Sequence, residues 1–419
     1  MVASTDWNML RILRPATRRL VLALLYAALF MAGAASRMLG RFESGASREA
    51  PSRIRLIRVD LLGDVVMSLV GARLIKHRFP KAHLSMVTLP QTAPVARMSP
   101  DVDQVIEIDT NRIRSVRAWL RRETYVDLSR AWHDLRRERL DITYSLYGRT
   151  ASLLSFLGRS RALVGYADEA YPQLLSRAVR HGRWSLRRRQ PDTEFTRRLV
   201  AEDGELSIED HAPSLTVTPE ARARASGLLG RIGIGNSVFA VFHPGSSYGD
   251  AKRWPAQHFA ELAVRLEADG IKTVLVGSRA EQSLAAQIEN TSPARSLAGH
   301  TDIEELAALL SRASVVVSGD SGPLHLATAL GIPAVAVYGP TDPSINGPIA
   351  WKGQAVTVLR RDLACSPCYS VRVRAGCPLR DPICMRLVSP DEVYSAARAI
   401  LQGNGAMTGR SSPCTSASP

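Results

Sequence analysis

The sequence predicts an α/β protein made of two Rossmann-like, doubly wound parallel sheets. Two observations carry that expectation. The chain has 419 residues, more than a single hydrophobic core usually serves. Twice along it, short apolar β-type runs alternate with helix-period segments, the pattern of a parallel sheet covered on both faces. An apolar content of 45% marks a globular chain rather than a disordered one. The formal net charge of +15 suits an anionic partner: nucleic acid, a phosphorylated substrate or an acidic membrane face. A solvated Arg-rich surface gives the same number, so charge alone does not choose.

The first set of elements opens with the strand Arg53–Val59. The turn Asp60-Leu61-Leu62-Gly63-Asp64 leads into a helix with Val65, Val66, Leu69, Val70, Leu74 and Ile75 apolar, stopped by Pro80. Strands are expected at 84–89, 104–108 and 142–146. The basic stretch Arg177 to Gln190 reads as a surface loop, and Thr218 to Ile232 as a helix bridging two domains. The second set repeats the plan: a strand at 238–242, a helix carrying the stripe Phe259, Leu262, Ala263 and Leu266, a strand at 273–276, and helices around 284–288 and 302–310. The expected domains are an extension and linker (1–52), an acceptor-type domain (53–217), a nucleotide-type domain (218–402) and a Ser-rich disordered tail (403–419). Two such halves should hold ligand at the C-terminal ends of their strands.

The extension carries sixteen residues without a charge, Leu20 to Ala35, bracketed by Arg18, Arg19, Arg37 and Arg41. As a helix the run spans roughly 24 Å, short of a hydrocarbon core of about 30 Å. A signal peptide, a spanning anchor and a helix lying on the membrane surface all fit its composition. Chemistry that uses a cytoplasmic nucleotide favours the third, because the other two would carry the domains across the membrane.

Two glycine turns can seat a phosphate. The stretch Ser314 to Pro343 runs apolar strand, Gly319-Asp320-Ser321-Gly322-Pro323 turn, helix with Leu324, Leu326, Ala327 and Leu330, then a second strand from Ala334 to Tyr338. Such a turn places free backbone N–H groups at a helix N-terminus. The second constellation is His243-Pro244-Gly245-Ser246-Ser247 followed by Lys252-Arg253-Trp254-Pro255. Ser246 and Ser247 can donate to phosphate oxygens and Lys252 or Arg253 can neutralise a leaving diphosphate. Gly63-Asp64 admits two readings: a helix N-cap, or a carboxylate at a strand end placed to take a proton from a hydroxyl. There is no G-x-x-x-x-G-K-[ST] run, and no G-x-G-x-x-G in the right context, which disfavours a P-loop ATPase or a nicotinamide enzyme.

From about Arg53 to Leu401 the chain resembles glycosyltransferase family 9, the heptosyltransferases of the lipopolysaccharide inner core. The resemblance rests on Leu62-Gly63-Asp64-Val65-Val66, the two constellations above with His325, and Tyr338-Gly339-Pro340-Thr341-Asp342-Pro343. It implies a GT-B fold, two Rossmann-like domains facing a central cleft. It implies inverting transfer of a heptose or similar sugar from an ADP-sugar to a lipid-linked, anionic saccharide acceptor, with no cofactor required. By position it implies Asp64 as general base and Lys252 as the group steadying the diphosphate. Ser246, Ser247, Asp320, Ser321, Gly322 and His325 would line the sugar-diphosphate site, and Glu281 would sit against the ribose. Val70 stands where a proline often follows the first motif, and the extension is outside the usual fold. A cytoplasmic enzyme at the inner-membrane surface is the expected location, with no nucleic-acid partner.

Cys365, Cys368, Cys377 and Cys384 form a C-x₂-C-x₈-C-x₆-C pattern. A structural zinc ion, reduced buried thiols and a disulfide pair all suit it. Other functions remain open at this level: a GT-B enzyme using another nucleotide sugar, an epimerase of the same architecture, or a non-catalytic basic nucleic-acid-binding protein. The last accounts for charge and cysteines but leaves the glycine turns and Gly63-Asp64 without a purpose.

Overall fold

In the computed structural model, the residues described are 15–38, 50–110, 121–169, 171–180, 191–201, 211–247, 249–351, 353–368 and 376–408. The chain divides into two compact units, Met1–Thr216 and Val217–Pro419.

The first unit begins with helix α1 (Pro15–Met38), which packs on the short turn Pro172–Leu174. Its sheet is built from β1 (Arg53–Ile57), β2 (His83–Thr88), β3 (Gln104–Glu107), β4 (Leu140–Ser145), β5 (Ser160–Tyr166) and β6 (Arg177–Val179). The crossovers are α2 (Leu62–Arg78), α3 (Ala93–Arg97), α4 (Arg122–Arg136) and α5 (Gly148–Leu157), and α6 (Asp192–Ala201) closes the unit against α2. All pairings are parallel, in the order β3-β2-β1-β4-β5-β6. A sheet covered on both faces buries both sides of its central strand, and Ile54, Leu56 and Ile57 have no exposure at all. Arg55 lies buried among them. Its Nε donates to Ser85 Oγ at 3.0 Å and its Nη1 to the Leu135 carbonyl at 2.8 Å, and burial lowers its pKa to about 10.

The second unit repeats this topology. It runs α7 (Pro219–Arg231), β7 (Phe239–His243), α8 (Ala256–Ala268), β8 (Lys272–Leu275), α9 (Gln282–Glu289), β9 (Arg295–Ser296), α10 (Ile303–Leu310), β10 (Val315–Gly319), α11 (Gly322–Ala329), β11 (Ala334–Tyr338), α12 (Pro343–Asn346), β12 (Val356–Arg360), α13 (Ile383–Arg386) and α14 (Pro390–Thr408). Its parallel sheet is ordered β12-β11-β10-β7-β8-β9. Counted from its own first strand, each unit therefore has the order 3-2-1-4-5-6. Strand order reverses between β1 and β4 in one unit and between β7 and β10 in the other, the point where open α/β sheets take ligands. A single cluster of Phe242, Phe259, Leu262, Leu266, Val317, Val337 and Trp254 anchors the second unit. Trp254 is 1% exposed and donates its indole N–H to the Val388 carbonyl at 2.8 Å.

Several expectations shift. The strands expected at 84–89, 104–108 and 142–146 are β2, β3 and β4, each moved by a residue or two. The basic stretch 177–190 is not all loop: Arg177–Val179 pairs with β5 as a short edge strand, and residues 181–190 lie outside the described set. The helix expected to bridge two domains is α7, capped by Thr218 Oγ1 on the Ala221 N–H and packed on α10 of its own unit. The tail expected to be disordered from residue 403 is helical as far as Thr408, and residues 409–419 are not described. Strands β5, β9 and β12 give little signal in the sequence, since each is short, half-exposed or interrupted by Arg and Gly.

α2 and α6 approach closely where a Cβ on Gly71 would meet Thr196 Cγ2 at 2.6 Å. Gly71→Val is expected to destabilise the protein by roughly 1–3 kcal/mol through overpacking, read as a lower urea midpoint.

Candidate functional site

In the first unit the chain leaves β1 at Arg58, whose N–H still pairs with the Val87 carbonyl. Helix α2 then starts at Leu62 with Leu61 as its cap residue and no side-chain cap bond. Asp64 is thus the third helical residue and not the N-cap. Its charge complements the helix N-terminus without serving as the cap. Its carboxylate lies 3.0 Å from the buried Arg58 guanidinium, which also faces Asp192 at 3.1 Å and Asp60 at 3.5 Å. Burial disfavours the Arg58 charge, but Asp192, Asp64 and Asp60 outweigh that cost and raise its pKa above the ordinary arginine value.

In the second unit two turns meet at the C-terminal ends of β7 and β10. The segment after β7 returns through a short 3₁₀ turn, Asp250–Lys252, and is pinned by Trp254 in the core. Lys252 Nζ then lies 3.0 Å from Asp320 Oδ2, and His325 Nε2 lies 3.8 Å from Asp320 Oδ1. Burial works against ionising Asp320, yet the His325 imidazole and the Lys252 ammonium hold its pKa at about 2. Gly319 is required by this approach, because a Cβ there would come within 2.9 Å of the Lys252 carbonyl oxygen. Ser321 caps α11, its Oγ accepting from the Leu324 N–H at 3.4 Å, and Gly322 is the first helical residue.

The other flank is Glu281. It closes a capping box with Ser278 and stands 3.7 Å from His243 Nε2. Burial opposes its charge, but His243 and the Ser278 N–H and hydroxyl bring its pKa down to about 2. Gly245 leaves room for this carboxylate, which a Cβ would strike. Ser318 joins the two flanks: its Oγ lies 2.7 Å from Ser321 Oγ and 3.3 Å from His243 Nδ1. Ser246 is buried, and its Oγ has no hydrogen-bond partner among the described residues. A buried hydroxyl in that state fits a ligand oxygen. Ser247 is exposed and Tyr248 is not described.

Lys252, Asp320, Ser321, Gly322 and His325 are thus brought together, and Glu281 joins them through His243 and Ser318. Sequence reasoning assigned no part to His243 or Ser318, although each ends or interrupts an apolar strand run, which is a readable signal. Arg58 gave the same signal. Asp192 gave none, because nothing local ties it to β1.

The description glycosyltransferase family 9 (heptosyltransferase) matches residues 128–377. The chain belongs to this family. It is a glycosyltransferase. It is 27% identical over 324 residues to lipopolysaccharide heptosyltransferase 2 of Salmonella typhimurium, covering 73% of this chain and 88% of that one. Two solved structures share its GT-B fold. A family 9 glycosyltransferase from Veillonella parvula has a TM-score of 0.70 at 21% identity, over 85% of this chain and 100% of that one. The E. coli ADP-heptose lipopolysaccharide heptosyltransferase II has a TM-score of 0.66 at 23% identity, over 84% and 99%.

The four cysteines of this family 9 chain, Cys365, Cys368, Cys377 and Cys384, line one small cavity of about 10 Å³ with Asp381 and Ala251. Burial pushes the Cys368 and Cys384 thiols up in pKa. Among the described residues no group of three or more His, Cys, Asp or Glu side chains is arranged to hold a metal ion.

Asp320 yields a pH prediction. Its carboxyl is depressed in the folded chain, so its contribution is present above the ordinary aspartate pKa and disappears as pH falls toward about 2. The shift corresponds to roughly 2 kcal/mol. Urea unfolding from neutral pH down to pH about 3 should show Asp320→Asn less stable than wild type at neutrality, the gap narrowing as pH falls. A gap independent of pH would mean that the charge is not what stabilises.

Proposed function

We propose that this glycosyltransferase moves heptose, with inversion, from ADP-heptose to a lipopolysaccharide-core saccharide. The observation that carries the reading is Lys252 held beside Asp320 at the end of β10, in a family 9 chain whose turn after β7 also carries the buried Ser246 hydroxyl, without a hydrogen-bond partner among the described residues. The names of the matched relatives, a lipopolysaccharide heptosyltransferase and an ADP-heptose enzyme, support the choice of donor and acceptor.

The roles divide by unit. In the second, Lys252 takes the diphosphate, with the Ser246 and Ser247 turn and the N-terminus of α11 at Ser321 and Gly322 donating to its oxygens. Asp320 and His325 fix the lysine and the sugar, and Glu281 accepts from the ribose. In the first, Asp64 removes the acceptor hydroxyl proton. That oxygen bonds to the anomeric carbon, the bond from carbon to the diphosphate oxygen breaks, and ADP departs with the electron pair. No resident cofactor enters this scheme.

The enzyme works at the cytoplasmic face of a membrane, resting on α1. Leu24, Tyr26, Phe30, Met31 and Met38 are exposed on this helix, whereas Gly33 and Ser36 are buried. No described helix is long and apolar enough to cross a membrane. An apolar face flanked in sequence by Arg18, Arg19, Arg37 and Arg41 suits an anionic lipid surface.

Asp64→Asn should lower kcat by roughly 10²-fold or more and leave ADP affinity unchanged in calorimetry; near-normal turnover would remove Asp64 as base. Lys252→Ala should weaken both ADP binding and turnover, and unaltered ADP affinity would overturn its diphosphate role. Transfer from a UDP-sugar in preference to ADP-heptose would overturn the donor. In sedimentation with phosphatidylglycerol vesicles, a variant carrying Leu24→Ser, Phe30→Ser and Met31→Ser should remain in the supernatant while wild type pellets. Equal pelleting of the two would end the proposed role of α1. A structural zinc ion at the four cysteines is a separate proposal: they line one cavity, but as placed they are not arranged as a metal site, so binding would have to draw them together. Elemental analysis showing no stoichiometric zinc would dismiss it.

A further inference from the structure

Arg58 is the least expected charge in the first unit. Its side chain is 1% exposed, and a buried guanidinium costs several kcal/mol of desolvation unless its partners compensate. Three carboxylates surround a single terminal nitrogen, and they come from three places: Asp60 from the loop after β1, Asp64 from the first turn of α2 and Asp192 from the start of α6. The guanidinium also lies over the Tyr147 ring, 4.9 Å from its centroid, where the chain leaves β4. Arg58 is therefore fixed by elements on both sides of the strand-order reversal. Asp192 is nearly as buried as Arg58, at 3%, whereas Asp64 is 19% exposed. One end of the chain of charges is locked in the interior and the other faces out.

We infer that Arg58, anchored by Asp192 and Tyr147, is a positioning residue that sets the orientation of the Asp64 carboxylate for proton removal. The inference rests on the reading of Asp64 as the base. Among the described residues neither Arg58 Nε nor Nη2 makes an aligned hydrogen bond, so the 3.0 Å approach of Nη2 to Asp64 acts as an ion pair. A lysine at this site would keep the charge but lose the planar guanidinium that lies over Tyr147 and holds its terminal nitrogen between Asp64 and Asp192. Asp192→Asn would leave the guanidinium in place but without its interior anchor. Misplacing a base by about an ångström can cost on the order of 10²-fold in rate. A fault in the first unit's carboxylate should leave donor binding by the second unit intact.

A double-mutant cycle tests this. Arg58→Lys and Asp192→Asn are each made in the wild-type and in the Asp64→Asn background, with kcat, the KM for ADP-heptose, ADP affinity and melting temperature measured for all. Each is expected to lower kcat by roughly tenfold to a hundredfold with the donor KM and ADP affinity unchanged, and to cost nothing further once Asp64 is Asn. An equal loss in both backgrounds would overturn the proposal, because the effect would then not pass through Asp64. Full kcat in both single variants would overturn it as well. If Arg58→Lys does not fold, Asp192→Asn, which retains the guanidinium, carries the cycle alone under the same criteria. Failure of the underlying reading is distinct: Asp64→Asn would itself retain turnover, whatever the other two do.

Discussion

The constraint on which the rest depends is the burial of a central parallel strand on both faces. β1 pairs with β2 on one side and β4 on the other, and β7 pairs likewise with β8 and β10. A strand flanked in this way has no edge, so its polar backbone is satisfied laterally while its side chains must be apolar on both faces or, like Arg55, hydrogen-bonded in the interior. Parallel neighbours also force each connection to cross over from one end of the sheet to the other, here mostly through a helix. The chain consequently leaves each central strand at the same end as its neighbour across the order reversal. Functional side chains collect at those ends because loops there are the first positions free of the apolar requirement.

Both reversals are occupied by charge, but by different arrangements. In the first unit three aspartates surround one buried arginine. In the second, Lys252 and two histidines are interleaved with Asp320 and Glu281, and both carboxyls stay ionised far below their ordinary range. Neither arrangement is an economical way to stabilise a protein, since apolar packing of equal volume does at least as well. Their value is positional. Charges held by several partners from separate elements keep their geometry when a charged ligand arrives, which is the property that electrostatic catalysis needs.

The architecture was legible in the sequence wherever periodicity was strong. The runs that became β1, β2, β4, β7, β10 and β11 are apolar enough to be recognised alone, and the Gly63-Asp64 and Gly319-Asp320-Ser321-Gly322 turns stand out between them. Edge elements were harder to read. β6 has three residues, β9 has two, and β12 is half-exposed throughout, so none carries a pattern. The same division holds for the site. Lys252, Asp320 and His325 lie within recognisable motifs, while the pairing of Arg58 with Asp192 depends on how α6 folds back on α2. The spacing of Asp64 suggested a helix cap, and only the backbone at Leu61 shows that the helix begins earlier.

Gly319 has a consequence beyond its own turn. The space where its Cβ would sit is taken up by the carbonyl of Lys252, so two motifs far apart in the sequence share one volume with none to spare. Neither can drift independently. A change of backbone in the lysine loop must be matched at the glycine, and a side chain at the glycine must be matched in the lysine loop. For anyone recombining family 9 sequences, these two stretches form a single inherited unit, and a crossover placed between them separates halves that were shaped against each other.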